Sequence, residues 1–165
     1  MRNGYPTFNI QQDLHDGDPA EWLLDLAEGR DAKCFVYDEM AIGVCYCQGD
    51  FPWSKLPIKE VSGFPIYGLD DLSDGVHLCQ AMAGEAPCNV EGKVTDAPCA
   101  LTAGDYILIA SGTGATVRAA RAKAYGVLDK IKMPNNPFWR VDVGKRLAKE
   151  LPKLAEKGYA LDWTY

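Results

Sequence analysis

Residues 105–131 read DYILIASGTGATVRAARAKAYGVLDKI, and this stretch constrains the fold more than any other. Tyr106 to Ile109 are β-formers bounded by glycines, which predicts a strand. Val117, Ala120, Ala124, Val127 and Ile131 then recur at helical spacing. Arg118, Arg121, Lys123 and Lys130 fill the other face. Thr113 or Thr116 can cap this helix, and Pro134 stops it. The spacing therefore predicts a long helix over 116–132 that packs on a β-core. Between strand and helix lies Gly112–Thr113–Gly114. A glycine turn at a helix start can cradle a phosphate on backbone N–H groups. Here the third glycine position of a dinucleotide fingerprint is Val117, and no Walker lysine follows. The remaining chain is also too short for a second mononucleotide half. Two readings stay open: a tight turn feeding a helix, or a weak anion contact at Gly112, Thr113 and Gly114.

The rest of the chain has no internal repeat. Residues 1–17 hold mixed turn residues and a short apolar run. GDPAEWLLDLAEGRD predicts a helix over 18–28: Asp18 suits the N-cap, Pro19 the first helical position and Glu21 the third. Trp22, Leu23 and Leu26 make its apolar stripe, and Gly29 ends it. AKCFVYDEMAIGVCYCQG reads as strands, with Asp38–Glu39 a possible turn. From IKEVSGFPIYGL to CALTAGDYILIASG, short β-rich runs alternate with Gly, Pro, Asp and Asn, as short antiparallel strands do. NPFWRVDVGKR predicts a strand with Trp139, Val141 and Val143 on one face and Phe138, Arg140 and Asp142 on the other. VGKRLAKELPKLAEKG then predicts a short helix. Helix, many strands, long helix, strand and helix in that order indicate an α+β fold rather than a βαβ array.

Charge narrows the function classes. The chain carries 17 Lys and Arg against 23 Asp and Glu, a net charge of −6. Nucleic-acid and anionic-membrane partners need a basic surface, so neither is expected. No apolar run reaches membrane-spanning length, and the opening MRNGYPTFNI lacks the apolar centre of a signal peptide. A soluble cytoplasmic protein is expected. Six cysteines occur without a CxxC pair, and without an export signal they read as reduced core residues. Cys45 and Cys47, two apart, share a strand face. His15 and His77 lack neighbours at ligand spacing, so no metal site is expected. No serine elbow and no Cys–His pairing is visible, so no catalytic residue is named.

Several segments together resemble the C-terminal part of phosphoribosylamine–glycine ligase, an ATP-grasp family. That family closes with an apolar strand, a G-x-T turn, a helix with an A-Y pair, and then Y/F-R-x-D-I-G. This chain has DYILIASGTGATVRAARAKAYGVLDKI, with Ala124–Tyr125, followed by Trp139–Arg140–Val141–Asp142–Val143–Gly144. AIGVCYCQGDFP resembles the family's S-x-G-V-V-x-A-S-x-G-Y-P. LPIKEV resembles G-L-x-x-V/A, and DPAEWLLDLAEGR resembles D-L-L-E-L-L-x-A-A-x-E-G. RNGYPTFN stands where the family has N-x-R-x-G-D-P-E-x-Q: Arg2, Gly4 and Pro6 match, but Tyr5 and Thr7 replace the acids.

The resemblance implies a compact antiparallel β core, barrel-like or sandwich-like, as in the C-terminal domains of ATP-grasp ligases. It implies that 1–31 is the end of an ATP-grasp domain, 32–147 a β-rich C-terminal domain, and 148–165 a helix and tail. The family's nucleotide- and metal-binding residues would precede Met1. ATP and Mg²⁺ are therefore implied only for a full-length parent, and this chain alone should not ligate. The implied partner is a missing or separate ATP-grasp domain, with self-association through an exposed apolar face. Arg2, Arg140 and Asp142 are candidate substrate contacts. The Arg140–Asp142 pair could instead fix the last helix to the β-core, face the absent domain, or be an exposed ion pair of little energetic weight. The alternative is a stand-alone small-molecule- or partner-binding module.

Overall fold

The computed structural model describes Gly4, residues 6–70, Leu72 and residues 74–165. The elements run α1 (Thr7–Leu14), α2 (Pro19–Ala27), β1 (Met40–Cys47), a 3-10 turn (Ile58–Glu60), β2 (Ser62–Ile66), β3 (Val76–Leu78), β4 (Ala81–Val90), β5 (Lys93–Ala103), β6 (Tyr106–Gly114), α3 (Val117–Lys130) and α4 (Leu147–Ala155). The fold is α+β, as expected. The strands form two open three-stranded sheets, ordered β1-β6-β3 and β2-β5-β4. The barrel is therefore not closed, and the arrangement is sandwich-like.

The chain divides into two compact units: residues 1–43, 111–124 and 142–165, and residues 44–110 and 125–141. In the second unit, β4 pairs along its whole length with β5, from Ala81↔Thr102 to Val90↔Lys93. Glu91 and Gly92 close this hairpin with φ of +51° and +83°, the left-handed geometry a two-residue turn needs. Gly92 N–H donates to Asn89 Oδ1 at 2.9 Å. The predicted short runs are thus one long hairpin, to which β2 adds as the third strand. β6 is the middle strand of the other sheet, and Ile107, Leu108, Ile109 and Ala110 are all fully buried. A strand covered on both faces needs apolar residues at every position, not at alternate ones.

In α3, Val117, Ala120, Ala124 and Leu128 are buried, as is Ile131 just past its end. The apolar stripe takes Leu128 where the sequence pattern suggested Val127. Ala119 N–H donates to Thr116 Oγ1 at 3.1 Å, so Thr116 is the cap. In the first unit, Asp18 Oδ1 caps α2 by accepting from Ala20 N–H at 2.8 Å, as its sequence requires. Neither α1 nor α2 contains a buried residue.

Three expectations are corrected. Residues 7–14 are helical, although residues 1–17 read as turns and a short apolar run. Pro6 occupies the N-cap without a side-chain hydrogen bond and the first turn has no acid, so the usual start signals are missing. Residues 33–37 are not a strand; Val36 makes a single bridge with His15. NPFWRVDVGKR is not a strand either: among the described residues its β-pairing is the isolated bridge of Phe138 with Cys47. Asn135 and Asn136 take positive φ, and Pro137 lacks an N–H. These interrupt the chain before a ladder can form.

Candidate functional site

Each residue singled out from sequence has a definite place, apart from Arg2, which lies outside the described residues. Gly112 and Gly114 belong to β6 itself. A Cβ at Gly112 would lie 2.6 Å from Ala124 N and 2.7 Å from Ala120 O, and one at Gly114 would lie 2.9 Å from Ala119 Cβ. Both glycines let the backbone of α3 approach β6 closely. At the start of α3, Val117 N–H reaches Thr164 O at 3.3 Å and Ala119 N–H is taken by Thr116. Two first-turn donors that an anion would use are thereby already engaged.

Arg140 and Asp142 fall in different units. In the second unit, the Arg140 carbonyl accepts from Tyr125 Oη at 2.7 Å, and the neighbouring Trp139 ring stacks on Tyr46 at 5.3 Å. In the first unit, the Asp142 carbonyl accepts from Lys145 N–H at 3.0 Å, and the Val143 carbonyl accepts from Arg121 Nε at 2.6 Å. Side chains thus bind the Arg140 and Val143 carbonyls, and a turn N–H binds that of Asp142, where a strand neighbour would have done so. Gly144, at φ +80°, completes the turn.

The structure adds a polar centre that sequence reasoning missed. Gln48 is fully buried. Its Nε2 donates to Val61 O at 2.5 Å and to Gly104 O at 2.7 Å, and its Oε1 accepts from Asn135 Nδ2 at 2.9 Å. Asn135 Nδ2 also reaches Glu60 O at 3.0 Å. A buried amide with both donors and its acceptor engaged fixes the loops it joins. Next to it, Asp105 is buried and accepts from Ser54 Oγ at 2.5 Å. Asp50 Oδ2 accepts from Lys55 N–H at 3.0 Å, while its Oδ1 is buried with no hydrogen-bond partner among the described residues. Both carboxylates line a recess of about 150 Å³ with Ser54 and Gln80. The recess offers hydrogen-bond acceptors without a nucleophile, so its chemistry is that of binding or support. The only sequence signal was its position in CQGDFP, the loop already matched to the family pattern.

The cysteines are all unpaired, and they are less buried than a core reading requires. Cys47 is buried, Cys45, Cys88 and Cys99 are intermediate, and Cys34 and Cys79 are exposed. Cys45 Sγ lies 4.0 Å from Tyr106 Oη, whose ring stacks on Phe51 at 5.3 Å. Burial pushes the Cys47 thiol up to about 12, helped by Cys45, Asp105 and Cys79. Burial also raises the Cys45 and Cys79 thiols and the Tyr106 hydroxyl. These thiols stay protonated at neutral pH and are poor nucleophiles and metal ligands. Among the described residues, no group of three or more His, Cys, Asp or Glu is placed to hold a metal. Nor is any described helix long and apolar enough to cross a membrane.

No family model matches the chain. Phosphoribosylamine–glycine ligases are among the proteins it resembles in sequence and in structure. It is 29% identical over 131 residues to the phosphoribosylamine–glycine ligase of Salmonella typhimurium, and equally to that of Salmonella typhi. These matches cover 78% of this chain and 27% of each relative, so the chain spans about a quarter of the curated relatives' length. The crystal structure of phosphoribosylamine–glycine ligase from Thermotoga maritima superimposes with a TM-score of 0.59 at 20% identity, covering 86% of this chain and 31% of that one. That likeness establishes the fold.

Proposed function

We propose that this chain is the C-terminal domain of a phosphoribosylamine–glycine ligase-like ATP-grasp protein of purine biosynthesis, and that it does not ligate on its own. The observation that carries the reading is the 131-residue match, which takes up most of this chain and about a quarter of each relative. A ligase that activates a carboxylate with ATP needs Mg²⁺ and a phosphate cradle. In this reading both belong to a full-length parent, on an ATP-grasp domain in the same or a separate polypeptide. Residues 1–31 are the end of that domain, 32–147 the β-rich domain and 148–165 its tail. Arg2, Arg140 and Asp142 are its candidate contacts to substrate or to the ATP-grasp domain. Gly112 and Gly114 act in packing α3, and the turn at Gly112, Thr113 and Gly114 feeds the helix rather than binding an anion. The place of action is the cytoplasm.

The purified chain, assayed for ATP- and glycine-dependent ligation of phosphoribosylamine, should show no turnover. Mixed with the ATP-grasp part of such a ligase, it should bind and melt at a higher temperature. Turnover by the chain alone would overturn the reading, as would a melting temperature indifferent to the ATP-grasp part.

A further inference from the structure

We propose that Cys88 and Cys99 form a two-thiol site in the second unit that captures an aryl arsenic(III) compound, with arsenic on the two sulfurs and the aryl ring in the cavity beside them. The β4–β5 hairpin fixes the pair. Residues opposite each other in an antiparallel ladder share a face, and the face alternates along each strand. Cys99 is paired with Gly84, Cys88 with Thr95, and Ala86 with Ala97 between them. Both cysteines therefore stand on one face of the hairpin. Only alanine side chains separate them there, so the sulfurs are free to lean toward each other. A side-chain hydrogen bond joins the two thiols, and Cys99 Sγ also lies 3.6 Å from Ile66 O.

Both cysteines line a cavity of about 440 Å³, whose walls include Ile66, Leu78, Met82 and Pro98. That volume is typical of a small-molecule pocket, as are walls that are mostly apolar. Cys88 and Cys99 are free and partly exposed, so a reagent in the cavity reaches both. Sulfur ligands favour soft centres, and two neighbouring sulfurs favour a centre that binds both at once. The arsenic of an aryl arsenoxide is such a centre. Each sulfur forms a bond to arsenic, the As=O bond breaks, and the two thiol protons leave with the oxygen as one water. Arsenic keeps its oxidation state, so no oxidant or reductant is needed. The remaining As–C bond carries the aryl ring, and the apolar walls gain by covering it.

This site does not depend on the ligase reading. It can be tested on the full reduced chain with phenylarsine oxide and methylarsonous acid as probes, read by intact mass and by peptide mapping. The first equivalent of phenylarsine oxide should add with loss of one water. Lys93 lies between the two cysteines, so cleavage after it should leave two peptides joined through arsenic. Cys88→Ala and Cys99→Ala should each lose this bridged adduct, whereas Cys45→Ala should keep it. With each probe's affinity expressed relative to dithiothreitol, methylarsonous acid should be held about tenfold less tightly than phenylarsine oxide, as loss of the ring's apolar contact predicts. A first equivalent bridged between other cysteines, or retained in Cys88→Ala, would overturn the proposal. So would equal retention of the two probes, or no adduct at all.

Discussion

Two helical regions of the first unit answer the same sequence rule differently. The start of α3 and the helix α2 both begin with a capped first turn and both carry an apolar stripe. At the start of α3 Val117, Ala120 and Ala124 are buried, and Gly112 and Gly114 let β6 lie close against Ala119, Ala120 and Ala124. In α2 the stripe stays in contact with solvent: Leu23, Leu24 and Leu26 are each about half exposed. Amphipathic spacing states that a helix has an apolar side, and only a partner elsewhere in the chain states that the side is covered. For α3 the partner is written into the sequence as the adjoining strand. For α2 it is not, and Phe35, Val36 and Tyr37 are also exposed in the same unit.

The contrast can be broken most sharply at Gly112. Gly112→Val would drive side-chain atoms into the backbone of α3 at Ala120 and Ala124. It should cost about 3 kcal/mol or more, read as a lower urea midpoint. A loss below about 1 kcal/mol would mean that the strand and helix do not need their close approach. A second test uses pH. Burial pushes Tyr46 and Cys47 up to about 12, whereas an unfolded thiol and phenol ionise near about 8.5 and 10. Above those values the unfolded chain loses protons that the folded one keeps, so stability falls with rising pH until about 12. Each group contributes a slope of about 1.4 kcal/mol per pH unit over its own window. Urea melts at pH 8 and pH 11 should differ accordingly, and Cys47→Ala should flatten part of the fall. The smallest effect belongs to α2. Leu24→Ser should change stability by less than about 0.5 kcal/mol while reducing self-association in sedimentation measurements. A large loss of stability would show that α2 is held by packing after all.

Much of this fold was legible in the sequence where the local signals agreed. Asp18 before Pro19, Thr116 before the Val117–Ala120–Ala124 stripe, and the β-formers from Tyr106 to Ile109 each appear as their residue types demand. The misses have common physical causes. α1 starts at Pro6 without a side-chain cap, so nothing announced it. Phe138 to Val143 alternate like a strand, but alternation cannot reveal that Tyr125 and Arg121 will take the carbonyls of Arg140 and Val143. The Gln48–Asn135 contact joins residues far apart in the chain through a single amide pair, which leaves no period in the sequence. The six cysteines misled in a related way: residue type suggested burial, yet Cys34 and Cys79 ended on the surface.

The bond between Asn135 and Gln48 also bears on how this protein ages. Asn135 is held at φ +75° with its amide nitrogen bound to Gln48 Oε1 and to Glu60 O. Spontaneous deamidation would replace that nitrogen with a carboxylate oxygen. Two acceptors would then face an anion, and the buried amide at Gln48 would lose the donor that completes it. One slow chemical lesion on a loop, leaving every apolar residue in place, would thus release the segment leading out of α3.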